Sequence, residues 1–152
     1  MTSPSDPGMH VRQLRMRHID RIGDALFRGL ARAGIGPAWV LTTRGRRTGR
    51  LRRVPVIPIH ADERLWLVSP YAELAWVRNA RAAGKVQLRR GRTRLTCSIR
   101  QASAQEAGPI LQQYLQIASA TRQYFVANVA SPVQAFVDEA DRHPVFELTP
   151  RD

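Results

Sequence analysis

Residues 38–59 constrain this chain more than any other stretch, because their pattern predicts a strand, a tight turn and a second strand. Leu41 to Pro55 holds a cluster of arginines between two apolar, β-prone flanks. Six of the ten residues from Arg44 to Arg53 are arginine. Gly45 and Gly49 bound the cluster, and such glycines allow positive φ and close approach of a ligand to the backbone. Thr48 adds a hydroxyl between them. Guanidinium groups present planar donor pairs that match phosphate and carboxylate oxygens. The spacing therefore predicts a hairpin whose tip is suited to a polyanionic ligand. A solvated basic tip is the alternative that the turn alone leaves open.

Charge is spread unevenly along the 152 residues. Residues 1–94 hold 20 Lys or Arg against 6 acids, and residues 95–152 hold 4 against 6. The basic part faces something anionic: a phosphorylated cofactor, nucleic acid or a membrane surface. Length and a hydrophobic fraction of 43% fit one domain with a real core. Cys97 is the only cysteine, so an internal disulfide is ruled out, and its place in an apparent strand makes it a small core residue. The N-terminus lacks a signal-peptide pattern, and no apolar run approaches membrane-spanning length. A cytoplasmic protein is expected.

Residues 1–9 read as a disordered tail, and 10–152 as one domain. Over 10–32, Val11, Leu14, Ile19, Ile22, Leu26 and Leu30 recur at helical spacing, with Arg12, Arg15, Arg17, Arg21 and Arg28 on the other face. Such a helix packs on the domain or rests on the inner face of an anionic plasma membrane. Strands are expected at 38–44, 51–60 and 65–69. A helix follows over 73–83, with Gly84 as its cap, then a hairpin over 85–99. Leu95, Cys97 and Ile99 alternate there with Thr96 and Ser98. A helix over 104–119, an irregular or helical run over 121–140 broken at Pro132, and a strand over 144–148 complete the order. Mostly antiparallel strands with interspersed helices predict an α+β fold built on a small, partly open barrel rather than a doubly wound sheet. No GxGxxG or Walker A pattern is present.

Other chemistries find little support. His10, His18, His60 and His143 share no metal-ligand spacing, so no metal site is expected. Ser69, Ser98 and Ser103 sit in no nucleophile-elbow pattern, and no two acids form a catalytic pair. A nucleic-acid module would use Arg44 to Arg53 and Arg89 to Arg94, but no accompanying fold signature is present. Trp76 reads as core, with cofactor stacking as the alternative. Asn79 either lies on a helix surface or positions that helix against the strands.

An ordered set of motifs resembles the deazaflavin-dependent nitroreductase and quinone reductase family. It comprises Thr43–Arg52 (TRGRRTGRLR), Val54 and Pro55, Trp66–Ser69 (WLVS), Ala75–Asn79 (AWVRN) and Gly84–Leu88 (GKVQL). His143–Leu148 (HPVFEL) also looks like the ends of some members. The resemblance runs from about 38 to 95. It implies a split β-barrel of the flavin-reductase-like kind and the cofactor F420, with FMN or haem as the alternative for a relative. It implies hydride transfer to a small electron-poor acceptor, a quinone or a nitroaromatic. Carried over residue by residue, the phosphate site falls on Arg46, Arg47, Thr48 and Arg52. The deazaflavin pocket falls on Pro55, Ser69 and Asn79, and the ring would lie in the barrel groove near Pro55 and Ser69. Arg47 stands where the family usually has lysine, and the loop from Pro70 to Leu74 is shorter than in the nitroreductases. The family's tyrosine-rich substrate region does not align cleanly, so Tyr114 and Tyr124 are the candidate catalytic residues, with Phe125 beside them. Self-association into a homodimer stays open.

Overall fold

The computed structural model describes residues 38–70 and 74–151. The tail at 1–9 and the basic helix expected over 10–32, with its membrane contact, lie outside the described residues. Those described form one antiparallel sheet of seven strands: β1 Trp39–Arg44, β2 Leu51–Val56, β3 Ile59–Ala61, β4 Arg64–Val68, β5 Lys85–Arg90, β6 Thr93–Gln101 and β7 Val145–Pro150. Their spatial order is β2-β1-β5-β6-β7-β4-β3. The sheet curls into the half-barrel of a split β-barrel. Three helices accompany it: α1 Ala75–Ala83, α2 Ala104–Ile117 and α3 Val133–Asp138.

The run expected as one strand over 51–60 is two strands. It divides at Ile57 and Pro58, because proline lacks the N–H that a ladder needs. The division has a large consequence. β2 pairs with β1 at one edge of the sheet, and β3 pairs with β4 at the other. Asp62 and Glu63 then close β3 onto β4 with φ of 51° and 60°, the left-handed geometry of a two-residue hairpin. The run over 121–140 becomes a 3-10 segment (Ser119–Tyr124), an irregular stretch and α3, which begins just after Pro132.

Alternation sorts side chains onto two faces of the sheet. The inner face gathers Leu41, Val56, Leu67, Leu88, Cys97 and Phe146 around Trp76, Val77 and Ala80 of α1. Trp76 meets Phe146 edge-on at 6.1 Å. Burial pushes the Cys97 thiol pKa up, in keeping with a core role. On the outer face, α2 and α3 cover Trp66, Val68 and Val145 with Leu111, Leu115 and Phe136. Ser103 and Glu106 form a reciprocal capping box that starts α2. Gly108 lets α3 approach closely, since a Cβ there would stand 2.4 Å from Val137 Cγ2. α1 ends where expected: Gly84 is left-handed at φ 69° and its N–H donates to the Ala80 carbonyl.

Candidate cofactor site

The arginine turn is built by short-range bonds. Gly45 N–H donates to the Arg50 carbonyl at 2.7 Å, and Gly49 N–H to the Gly45 carbonyl at 2.8 Å. Gly49 is left-handed, with φ of 69°. At Gly45 a Cβ would stand 2.9 Å from Thr48 Oγ1 and 3.2 Å from the Arg50 carbonyl, so the turn closes tightly only around glycine. Thr48 Oγ1 accepts the Arg50 N–H at 3.3 Å, which leaves its own O–H to donate outward. Arg44 donates from Nη1 to the Gly49 carbonyl. The side chains of Arg46, Arg47, Thr48 and Arg52 are exposed.

A long-range contact fixes the turn to the barrel. Asn79, on α1 and 3% exposed, accepts with Oδ1 from Arg46 N–H at 3.2 Å and Arg46 Nη1 at 3.3 Å. Asn79 is thus buried rather than on the helix surface, and its bonds from Arg46 tie the helix to the turn rather than to the strands. Arg52 stands opposite Thr43 in the β1–β2 register, on the inner face. Thr43 is 3% exposed, yet among the described residues its hydroxyl oxygen has no hydrogen-bond partner. Sequence reasoning passed over Thr43 as a site residue, because its burial depends on α1 arriving over β1.

Electrostatics favour an anion here. Among the described residues, none of Arg46, Arg47, Arg50, Arg52 and Arg53 pairs with a carboxylate. The segments 38–61 and 74–105, which supply β1, β2, β5, β6 and α1, contain no Asp or Glu. The described acids lie in the other part of the molecule, where Glu106 and Glu147 both pair with Arg100. Arg100, with a bond from the Ser103 backbone N–H, holds Glu106 well below the usual carboxylate range, at about 2.

The remaining predicted residues are dispersed. Ser69 is fully buried at the end of β4, and its N–H donates to the Pro144 carbonyl at 2.9 Å. Alternation carries it to the side of Leu65 and Leu67, the inner face. Pro55 pairs with Val40 and so faces outward, away from Asn79. On that outer face Val40, Thr42, Arg53, Gln87, Arg89 and Arg94 line a basic groove of about 480 Å³. Tyr114 is 5% exposed inside the outer cluster, and Tyr124 is half-buried. Thus Arg46 and Asn79 are in contact, whereas Pro55 faces outward and Tyr114 belongs to the outer cluster.

The model of the F420H2-dependent quinone reductase family matches residues 18–140 of the chain. No curated protein matches it significantly in sequence. Solved structures share the fold. One described as a domain-swapped dimer is 17% identical, with 95% of this chain and 100% of that chain covered and a TM-score of 0.55. An F420-H2 dependent reductase (FDR-A) is 16% identical, with 74% and 94% covered and a TM-score of 0.50. A Listeria innocua protein provisionally named a pyridoxamine 5'-phosphate oxidase is 12% identical, with 88% and 93% covered and a TM-score of 0.52. With most of its length matched by the family model, the chain belongs to the F420H2-dependent quinone reductase family: it is an F420-dependent reductase and coenzyme F420 is its cofactor.

Proposed function

We propose that this reductase transfers a hydride from reduced F420 to a quinone, with nitroaromatics as a second acceptor class, and that the arginine turn holds the cofactor's phosphate. The observation that carries this reading is the carboxylate-free turn bolted to α1 through Asn79. The residues present fit the cofactor. Its phosphate and glutamate tail need cationic donors without competing acids, which the turn supplies. The orphaned Thr43 hydroxyl lies buried on the inner face beside that turn. A ligand's polar group would satisfy it.

When bound, reduced F420 supplies the hydride, so the chain need provide no nucleophile. The protein's work is placement. Arg47 and Arg52 bind phosphate oxygens. Arg46 does so from a side chain already restrained by Asn79, so less rotamer freedom is lost on binding. Thr48 donates its hydroxyl proton to the same group. Ser69 closes the inner side at the end of β4, and Pro55 stiffens the edge strand β2 from outside. Apolar residues of the C-terminal segments exclude water from the acceptor. Tyr124, half-buried, is better placed than Tyr114 to hold a proton for the reduced product, because Tyr114 is sealed in the outer cluster.

Titration with F420 and with FMN, followed by the fluorescence of Trp39, Trp66 and Trp76, tests the cofactor site. Arg47→Ala is expected to weaken F420 binding about tenfold or more, the equivalent of one charge-assisted bond. An unchanged Kd would remove Arg47 from the site. Stopped-flow oxidation of the reduced cofactor by menadione tests the acceptor. No acceleration over the enzyme-free rate, across several quinones, would refute the quinone reading.

A further inference from the structure

Glu139 and His143 form a buried polar pair that the proposed reaction does not use. They are 5% and 1% exposed. Glu139 Oε1 accepts the Ala127 N–H at 2.9 Å, and Oε2 accepts the Val126 N–H at 3.0 Å. His143 Nε2 lies 3.4 Å from Glu139 Oε2. His143 Nδ1 lies 2.7 Å from the Pro70 carbonyl, which can only accept, so Nδ1 is protonated and donates there. One residue on, the Pro144 carbonyl accepts the Ser69 N–H at 2.9 Å. The Phe125 ring stacks on the imidazole at 3.9 Å and 13°. Burial opposes ionisation of Glu139, but the bonds from Val126, Ala127 and His143 outweigh it and hold its pKa below the ordinary value.

Such a pair is a poor device for stability alone, since apolar side chains of similar volume would serve as well. What it does supply is direction. Apart from the contact between the two side chains, every bond of the pair ends on the backbone of one of two segments. One is the Ser69–Pro70 end of β4, which leads toward α1 and Asn79. The other is Phe125–Ala127, which adjoins Tyr124.

We infer that Glu139 and His143 are positioning residues of the reductase: they clamp the Ser69–Pro70 strand end to the Phe125–Ala127 segment and so hold the acceptor side of the site in register with the cofactor side. This rests on the proposed site, in which Ser69 closes the inner face and the segment carrying Tyr124 covers the acceptor. Neither residue touches the reacting atoms. Their influence passes through the Pro70 carbonyl and the Val126 and Ala127 amides.

Two substitutions in the full chain separate clamping from filling. In His143→Asn the side-chain amide nitrogen stands near the Nδ1 position and keeps the Pro70 bond. In His143→Gln it stands near the Nε2 position and loses that bond while retaining Glu139. Both lose the stacked ring, so both should lower Tm by similar amounts. The clamp predicts that His143→Gln raises amide exchange at Ser69 about tenfold, the loss of one buried hydrogen bond. It also predicts a raised KM for menadione, with little change in F420 Kd. His143→Asn should stay within about twofold of the unsubstituted protein in both. Identical behaviour of the two variants would overturn the clamp. Faster Ser69 exchange with unchanged KM in both would overturn the positioning role. If menadione proves not to be an acceptor, the quinone reading fails, and the exchange measurement still decides whether the clamp exists.

Discussion

Replacing Asn79 by alanine cuts the bond that ties the arginine turn to the barrel. The substitution removes the acceptor of two bonds, from Arg46 N–H at 3.2 Å and from its guanidinium at 3.3 Å. A neutral bond contributes about 1 kcal/mol and one to a charged donor about 1.5–3. Both distances are long and the Arg46 guanidinium is exposed, so the lower values apply and the sum is about 2 kcal/mol. For a chain of this size that corresponds to a Tm lower by roughly 4–8 °C. Arg46 would also regain rotamer freedom that binding must again remove, at about 1 kcal/mol, so F420 Kd should rise about fivefold. Asn79→Asp provides the contrast. It keeps the acceptor geometry but buries a negative charge against the Arg46 guanidinium, where it competes with an anionic ligand for that group. Losing one charge-assisted bond from Arg46 to the ligand costs about 1.5 kcal/mol, so binding should weaken about tenfold. Thermal melts and tryptophan-quenching titrations with F420 read the two effects separately. If Asn79→Asp binds F420 as tightly as the parent protein, Arg46 is no part of the anion site and the reasoning fails.

Two further expectations come from single groups. Thr43→Val removes a buried hydroxyl that has no partner among the described residues. The cofactor-free protein should gain up to about 1 kcal/mol in a denaturant melt, while F420 binds more weakly; stronger binding would show that the hydroxyl faces no ligand group. Glu106 is held at about 2, against an ordinary value of 4.5, first by its bonds to Arg100. A depressed carboxyl stabilises above its unfolded pKa and loses that contribution as pH falls through the folded one. Acidification from about 4.5 toward 2 should therefore erode stability, and Glu106→Gln should flatten that part of the melting-temperature profile without lowering stability at pH 2.

Local sequence determined a good deal of this protein. The paired glycines, the arginine cluster and the β-prone flanks specified the hairpin tip, because turn dihedrals and strand alternation are properties of neighbouring residues. The alternation of Leu95, Cys97 and Ile99 and the cap at Gly84 were legible for the same reason. The ordered motifs from Thr43 to Leu88 also identified the family. Tertiary structure alone decided what those pieces face. Pro58 sent β2 and β3 to opposite edges of the sheet, where a sequence pattern sees one continuous apolar run. The curl of the sheet set Pro55 outside and Asn79 inside, although both were expected in one pocket. Arg46 and Asn79 meet across 33 residues, and His143 reaches Pro70 across 73. Such contacts form only when the strand order is complete, and long-range pairing leaves no periodic trace in the chain. The HPVFEL motif that begins at His143 assigned that histidine no partner. Its role became visible only when the fold set a backbone carbonyl on one side of its ring and a carboxylate on the other.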